Sequence, residues 1–335
     1  MKKKYLLALP LSLLLVVAAC SNKNTVKGKT GNVSAVETTV AVPKFNADSA
    51  YRYVEAQTMF GPRVPGTDGH KACGDYLAAK LKEFGASVTE QTFEAYRYDG
   101  VKMNGRNIIG SYDPDNRKRI LLCAHWDTRP WADRDADEKN YHTPISGAND
   151  GASGVGVLLE IARLLSKEKP QVGIDIIFFD AEDSGTPDFD LQNYDENSWC
   201  LGSQYWAANK HVDGYNARYG ILLDMVGAAG ATFYKEGFSM EYASAIVNKV
   251  WKKAMELGHS SAFLAERGTY LTDDHLPVNR TANIPCINIV HTNSVNSGGS
   301  FGEFWHTVND NMAVIDKNML GIVGETVTHV IFSEK

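Results

Sequence analysis

The sequence contains few cysteines and no excess of positive charge. Its five cysteines are far apart, and none of them forms a close pair in the sequence. The formal net charge is −6, and a chain without a basic surplus lacks the electrostatic attraction that nucleic acid requires. We therefore expect no nucleic-acid partner.

Long apolar runs are also scarce. The run at the start of the chain, from Tyr5 to Ala19, follows three lysines and is shorter than the ~20 residues that span a membrane. A basic segment before a short apolar run is typical of a signal peptide. The residues Val17-Ala18-Ala19-Cys20 resemble a bacterial lipobox, which predicts cleavage before Cys20 and a lipid on its thiol. The alternative is a plain secretory signal that happens to precede a cysteine.

These features predict the organisation of the chain. We expect a signal peptide over residues 1–19, a lipidated N-terminus and flexible tether over 20–43, and one domain over 44–335. The protein would then be exported and anchored by the lipid on Cys20, as a membrane lipoprotein that faces the periplasm.

An exported chain permits disulfides, so the four cysteines after Cys20 could in principle pair with one another. Cys123 and Cys286 lie within apolar, strand-like runs, where a free thiol behaves as a small buried hydrophobe. We predict no structural disulfide and no catalytic thiol, and we expect a monomer.

The apolar pattern predicts an α/β fold. Hydrophobic residues make up 44% of the chain, enough to bury a core, and the roughly 300 residues after the leader fit one large domain. An apolar strand from Ile120 to Ala124 precedes a helical pattern from Gly151 to Ser166 and a second strand from Gly173 to Phe179. This order implies a crossover and parallel pairing. We predict a single domain with a mixed, mostly parallel central β-sheet flanked by helices on both faces.

Periodicity and capping residues predict further elements. The predicted helices cover residues 47–59, 69–84, 241–257 and 318–331, and the predicted strands cover 87–93, 107–112, 220–225 and 284–291. Residues 180–198 form a long, acidic and polar segment, which is typical of a loop that borders a functional site.

Several polar residues stand close to the ends of apolar runs. They are His125, Asp150, the adjacent pair Glu182 and Asp183, Asp224 and His306. The carboxyl ends of parallel strands meet at one edge of a sheet, so residues distant in the chain can gather there. Imidazole and carboxylate together suit zinc and leave a coordination position open for substrate. A single Asp at a strand end is more often a cap or a turn residue, so the prediction depends on the joint pattern.

The adjacent acids Glu182 and Asp183 are predicted to have different roles. Neighbouring side chains at the end of a strand point to opposite sides, so one can bind a metal while the other faces the substrate as a general acid/base. Asp127, two residues after His125, is interpreted as a partner that fixes an imidazole.

Five motifs follow one another after residue 60. They are Gly61-Pro62-Arg63-Val64-Pro65-Gly66-Thr67, Phe178-Phe179-Asp180-Ala181-Glu182-Asp183, Leu222-Leu223-Asp224-Met225-Val226-Gly227-Ala228, Asp273-Asp274-His275-Leu276-Pro277 and Trp305-His306-Thr307. In this order they resemble the zinc aminopeptidase superfamily, and more closely its glutaminyl cyclases of the animal and bacterial zinc type. The resemblance covers nearly the whole mature chain.

The resemblance implies a ligand set. One zinc ion would be held by Asp150, Asp183 and His306. The family usually carries Glu where this chain has the shorter Asp183. His125 falls on a position that holds a second metal in the superfamily, or it supports the first ligands from behind.

The resemblance also implies the catalytic groups. Glu182 would be the general acid/base, with Asp224 and Asp273 in an acidic hydrogen-bond network beside it. Trp305 would form an aromatic wall for the substrate. Trp199, in a segment that differs from the animal enzymes, is not assigned.

The implied activity is that of a glutaminyl-peptide cyclotransferase, an acyltransferase that converts the N-terminal glutamine of peptides or proteins to pyroglutamate and releases ammonia. The alternative is an aminopeptidase with two zinc ions, because His125, Asp150 and Asp224 match its second metal site. A non-catalytic binding module would require the loss of a ligand or of Glu182, and neither is missing.

Overall fold

The computed structural model describes residues 41–293 and 301–335. The predicted signal peptide, Cys20 and nearly all of the predicted tether lie outside the described residues, so the three predicted chain segments stay a prediction. Within the described ranges, no helix is both long enough and apolar enough to cross a membrane.

A six-stranded sheet forms the centre of the fold, in the order β1-β2-β4-β3-β5-β8. Its strands are β1 Ser87–Tyr96, β2 Lys102–Tyr112, β3 Arg119–His125, β4 Gly173–Phe179, β5 Tyr219–Asp224 and β8 Cys286–Val290. The pairs β3–β4, β3–β5 and β5–β8 are parallel, whereas β1–β2 and β2–β4 are antiparallel. Two short strands, β6 Phe233–Lys235 and β7 Phe263–Arg267, form a separate pair.

Seven α-helices accompany these strands in the described part of the chain. They are α1 Ala47–Thr58, α2 Asp68–Glu83, α3 Ala152–Leu165, α4 Leu201–Ala208, α5 Gly237–Glu256, α6 His275–Arg280 and α7 Lys317–Phe332. Four of the five predicted helices have the expected bounds to within one residue at each end. Helix α5 begins four residues before the predicted start, because the side chain of Glu236 accepts hydrogen bonds from the backbone N–H groups of Phe238 and Ser239 and so caps it.

The sheet separates two apolar layers, because successive side chains of a strand point to opposite faces. In β3, Ile120 and Leu122 belong to the apolar layer that also contains residues of α1, α3 and α7, and α3 packs against this strand. Leu121 and Cys123 of the same strand belong to the other layer, with Trp206 of α4. The predicted fold class is confirmed: one α/β domain with a mixed, mostly parallel sheet between two helical layers.

The four cysteines of the described chain, Cys73, Cys123, Cys200 and Cys286, are free and buried. The prediction that they form no disulfide is therefore confirmed.

The parallel strands bring candidate site residues together at one edge of the sheet. His125 at the end of β3 pairs with Phe179 at the end of β4, so their carboxyl ends lie at one edge of the sheet. The end of β5, at Asp224, lies at the same edge. Such an edge is the usual location of a ligand site in an α/β sheet.

Candidate active site

Three of the residues singled out in the sequence converge on one point. Asp150, Asp183 and His306 each present a ligand atom, and these atoms lie within 4.8 Å of one another. The Nε2 atom of His306 lies 3.3 Å from Asp183 Oδ1 and 3.7 Å from Asp150 Oδ2. All three side chains are buried, so the trio is a preformed group and not a surface cluster.

Asp150 is fixed by the turn before α3. The backbone N–H groups of Asn149 and Asp150 donate to the two carboxylate oxygens of Asp310, at 2.7 and 2.9 Å. Asp310 is fully buried. Asp310 was not predicted as a site residue, because an Asp four positions after His306 carries no signal in the sequence until the backbone that it holds is known.

The bend after β4 separates Glu182 from Asp183. Ala181 has a φ of 54°, in the left-handed region, and turns the chain out of the strand. The carboxylate of Asp127 then accepts hydrogen bonds from the backbone N–H groups of Glu182 and Asp183, at 3.1 and 3.2 Å. Asp127 thus supports both acids, in addition to its oxygen 3.4 Å from Nδ1 of His125.

Glu182 belongs to a second group, with Cys200 and Asp273, whose ligand-type atoms also lie within 4.8 Å of one another. The thiol of Cys200 donates to Glu182 Oε1 at 3.3 Å. Cys200 was not predicted to lie beside the site. Burial raises the pKa of its thiol well above the ordinary value, so the thiol is protonated and is a poor nucleophile.

The acids around Glu182 hold protons more strongly than exposed acids do. Burial, reinforced by Asp273, raises the pKa of Glu182 well above its ordinary value. Burial and the charge of Asp224 raise the pKa of Asp273 to about 7. Asp273 is held by Asn288, whose side-chain amide donates to it at 2.6 Å. A carboxyl group with a pKa near neutrality is suited to accept and return a proton.

His125 contacts the acids of both groups. Its Nε2 atom lies 3.0 Å from Asp150 Oδ1 and 3.2 Å from Asp224 Oδ1. Burial opposes a charge on the imidazole, but the neighbouring carboxylates outweigh burial and raise its pKa well above the ordinary value. His125, Asp150 and Asp224 also form a candidate metal group, with their ligand atoms within 4.8 Å of one another.

The donor set of Asp150, Asp183 and His306 fits zinc. Burial lowers the pKa of His306 well below its ordinary value, and a neutral imidazole is the form that binds metal. Burial and mutual repulsion raise the pKa of Asp150 to about 7, and burial raises that of Asp183 to about 7. A divalent cation between the two carboxylates would offset this repulsion. Asp183 Oδ2 is buried and has no hydrogen-bond partner among the described residues.

Aromatic side chains line the space above the acids. A cavity of about 70 Å³ is bordered by Trp199, Phe301 and Trp305 together with the acids and His306. The Trp305 ring stacks on His306 with centroids 3.8 Å apart, and the Trp199 ring lies parallel to His306 at 6.4 Å. Trp199, which the sequence left unassigned, therefore faces the same cavity as Trp305.

A larger cavity, of about 690 Å³, lies elsewhere on the domain. It is bordered by Thr67, His70, Arg106 and Tyr205, and it contains none of the predicted site residues. The candidate site is therefore identified by the residues that line its cavity and not by the volume of the cavity.

Backbone strain is concentrated around the site. Of the six residues other than glycine with positive φ in the described chain, four adjoin or belong to it: Ala181, Cys200, Met225 and His306. Such conformations cost free energy and persist only where the surrounding structure enforces them. This distribution is typical of a functional site whose side chains are aimed by the fold.

Comparison with known proteins agrees with this geometry. The family model of peptidase family M28 matches residues 107–331. The structure of glutaminyl cyclase from Bacteroides thetaiotaomicron with bound N-acetylhistamine is 59% identical, with a TM-score of 0.86, and the match covers 88% of this chain and 100% of that chain. A Zn-dependent exopeptidase from Parabacteroides distasonis is 54% identical with the same TM-score, and the same shares of the two chains are covered.

The similarity extends to an animal enzyme. The glutaminyl-peptide cyclotransferase of Drosophila melanogaster is 24% identical over 280 residues, which cover 76% of this chain and 72% of the fly protein. The resemblance found in the sequence motifs is confirmed. The chain belongs to peptidase family M28, in the part of that family that includes the bacterial glutaminyl cyclases.

Proposed function

We propose that this protein is a zinc-dependent glutaminyl-peptide cyclotransferase, which converts an N-terminal glutamine to pyroglutamate and releases ammonia. The observation that carries the proposal is the 59% identity, over the entire length of the matched chain, to a bacterial glutaminyl cyclase. The site geometry supports it, because a trio of metal ligands adjoins a carboxylate that is not part of the trio.

The reaction requires one bond to form and one to break. The α-amine of the glutamine attacks the γ-carbon of its own side-chain amide, and the amide nitrogen leaves as ammonia. The attack is intramolecular, so little entropy is lost in bringing the groups together. Zinc held by Asp150, Asp183 and His306 would supply a Lewis acid for the γ-carbonyl oxygen.

Glu182 would move the proton. It accepts the proton that the attacking amine loses and returns it to the departing nitrogen, a role that typically contributes ~10²–10⁴-fold to the rate. Asp224 and Asp273 border the same cavity as Glu182, where the amine would lie. Burial, reinforced by the charge of Asp273, raises the pKa of Glu182 well above its ordinary value. Trp305 would pack against the substrate side chain, with Trp199 on the same cavity.

The test is a pair of assays on the purified protein. A peptide with N-terminal glutamine should release ammonia without loss of a residue, and the same peptide with an acetylated α-amine should not react. Ammonia release from the acetylated peptide would point to a simple amidase. Release of free amino acids from unblocked peptides, without ammonia, would contradict the proposal.

An aminopeptidase with two zinc ions is the second candidate, because His125, Asp150 and Asp224 form a second metal-type trio that shares Asp150 with the first. Metal content distinguishes the candidates. The cyclase requires one zinc per chain, whereas the aminopeptidase requires two.

The export and anchoring of the chain are part of the proposal and rest on the leader sequence alone. Lys2, Lys3 and Lys4 before the apolar run, and the Val17–Cys20 motif, support lipidation of Cys20. Labelling of cells with a radioactive fatty acid should mark the wild-type protein and leave a Cys20→Ser variant unmarked. Label on the variant would contradict a lipid on Cys20.

A further inference from the structure

Arg129 is a fully buried arginine behind the candidate ligands. Its Nε and Nη2 atoms donate to the two carboxylate oxygens of Asp133, each at 2.6 Å, and both side chains are almost completely buried. A bidentate pair of this kind fixes the plane of both groups, because two parallel hydrogen bonds leave no freedom of rotation.

The third guanidinium nitrogen of Arg129, Nη1, contacts the candidate ligand Asp183. Nη1 of Arg129 donates to Asp183 Oδ1 at 3.1 Å and to the backbone carbonyl of Asp183 at 3.2 Å. Arg129 therefore holds one oxygen of this carboxylate and the backbone that carries it. The other oxygen, Oδ2, is left buried and without a hydrogen-bond partner within the described ranges.

Asp133 extends to a second candidate ligand. Its Oδ1 atom lies 3.5 Å from Nδ1 of His306, while Nε2 of His306 faces Asp150 and Asp183. A carboxylate on the far nitrogen of an imidazole keeps the proton there and leaves the near nitrogen free for a metal. Asp133 also accepts a hydrogen bond from the backbone N–H of Asp188 at 2.8 Å, which ties it to the acidic loop.

Two aromatic rings flank the guanidinium of Arg129. The guanidinium carbon of Arg129 lies 4.8 Å from the ring centroid of Trp199 and 5.5 Å from that of Trp131. Stacking on rings limits the directions in which the guanidinium can move, which suits a group that must hold its position.

We propose that Arg129 and Asp133 are positioning residues that together set the orientation of Asp183 and His306, and thereby the affinity of the protein for zinc. The inference rests on the proposed metal site but not on the identity of the substrate. A ligand side chain that is already fixed by hydrogen bonds loses little conformational freedom when it binds a metal. Loss of these hydrogen bonds therefore weakens metal affinity, typically by about 10- to 100-fold.

The chain contains a matched control. Arg119 and Asp175 form another buried bidentate pair, with Nε–Oδ2 and Nη2–Oδ1 distances of 2.6 and 2.7 Å. Arg119 begins β3, whereas His125 ends it, so this pair lies at the opposite edge of the sheet from the site. Arg119→Lys therefore imposes the same type of damage, the loss of a guanidinium fork, far from the candidate ligands.

The experiment compares zinc affinity in Arg129→Lys, Asp133→Asn, Arg119→Lys and the wild type, each stripped of metal and titrated with zinc against a competing chelator. We expect zinc affinity to fall about 10- to 100-fold in the first two variants and to stay at the wild-type value in Arg119→Lys. Thermal unfolding of the metal-free proteins checks folding. If Arg129→Lys does not fold, Asp133→Asn, which preserves the shape of the side chain, decides the question.

If the wild type binds zinc and releases ammonia, two results would overturn this inference and leave the proposed function intact. One is wild-type zinc affinity in the folded Arg129 and Asp133 variants. The other is an equal loss in Arg119→Lys, which would indicate a general loss of stability. A wild-type chain that binds no zinc would overturn the proposed function together with this inference.

Discussion

Glu182 and Asp183 are adjacent in the chain, yet their carboxylates belong to different groups. Asp183 lies with Asp150 and His306, whereas Glu182 lies with Cys200 and Asp273. The left-handed turn at Ala181 brings the pair out of β4. One carboxylate can therefore bind a metal while the next keeps its oxygens for proton transfer.

Substitution Glu182→Gln separates the two roles. The variant should keep its zinc, because Glu182 is outside the ligand trio, and should lose at least ~10²-fold in kcat/KM through loss of the proton carrier. Zinc content by atomic spectroscopy and ammonia release measure the two effects. Loss of zinc from the variant would make Glu182 a ligand and transfer the role of base to Asp183.

Substitution His125→Ala tests the number of metal ions. The cyclase proposal requires one zinc, so the variant should retain one zinc and part of its activity, lowered because Asp150 loses a contact at 3.0 Å. Titration of the metal-free protein with zinc gives the stoichiometry. Two tightly bound zinc ions in the wild type, with loss of one ion and of all turnover in the variant, would favour the aminopeptidase.

The pH dependence of kcat should report the acidic group. Glu182 must be ionised to accept a proton, and the charge of Asp273 contributes to its raised pKa. Asp273→Asn removes that charge and lowers the pKa of Glu182, so the acidic limb of the profile should move to lower pH, by up to about one unit. The measurement is a pH series of ammonia release at saturating substrate. An unchanged profile and rate would make Asp273 a purely structural residue.

Removal of zinc should make stability more dependent on pH. Burial raises the pKa values of Asp150, Asp183, Asp273 and Asp310 to about 7 in the folded chain, whereas unfolded Asp has a pKa of about 3.9. Between these values the folded state binds more protons, so the free energy of unfolding of the metal-free protein decreases as pH rises from about 4 to about 7 and levels off above about 7.

Bound zinc replaces the protons on Asp150 and Asp183, so the zinc-loaded protein should show a smaller decrease. Thermal unfolding of the chelator-treated and zinc-loaded forms from about pH 4 to about pH 8 measures the difference. Parallel curves for the two forms would contradict a metal site at these carboxylates.

Much of the fold could be predicted from the sequence, because apolar runs and helical spacing are local signals. The parallel pairing of β3 and β4 followed from the strand–helix–strand order around Gly151–Ser166. Helices α4 and α6 were not predicted. Helix α4 is short and directly follows the acidic segment 180–198 in the chain, and α6 has only six residues and contains Pro277. Short helices are stabilised by tertiary packing and not by their own periodicity.

The sequence by itself determined which residues are proposed to carry the chemistry. His125, Asp150, Glu182, Asp183, Asp224, Asp273, Trp305 and His306 were identified by their places near the ends of apolar runs and in motifs. All of them lie at one edge of the sheet or in the loops above it. Parallel strands meet at their carboxyl ends, so this convergence follows from the order of the elements.

Only the tertiary structure decided which residues support these groups. Asp310 holds Asp150, Cys200 contacts Glu182, and Arg129 with Asp133 lies behind Asp183 and His306. Among these contacts the largest separation in the chain, 173 positions, is that between Asp133 and His306. Hydrogen bonds from a buried side chain depend on the backbone and side chains that the fold brings beside it, and local sequence contains no record of that arrangement.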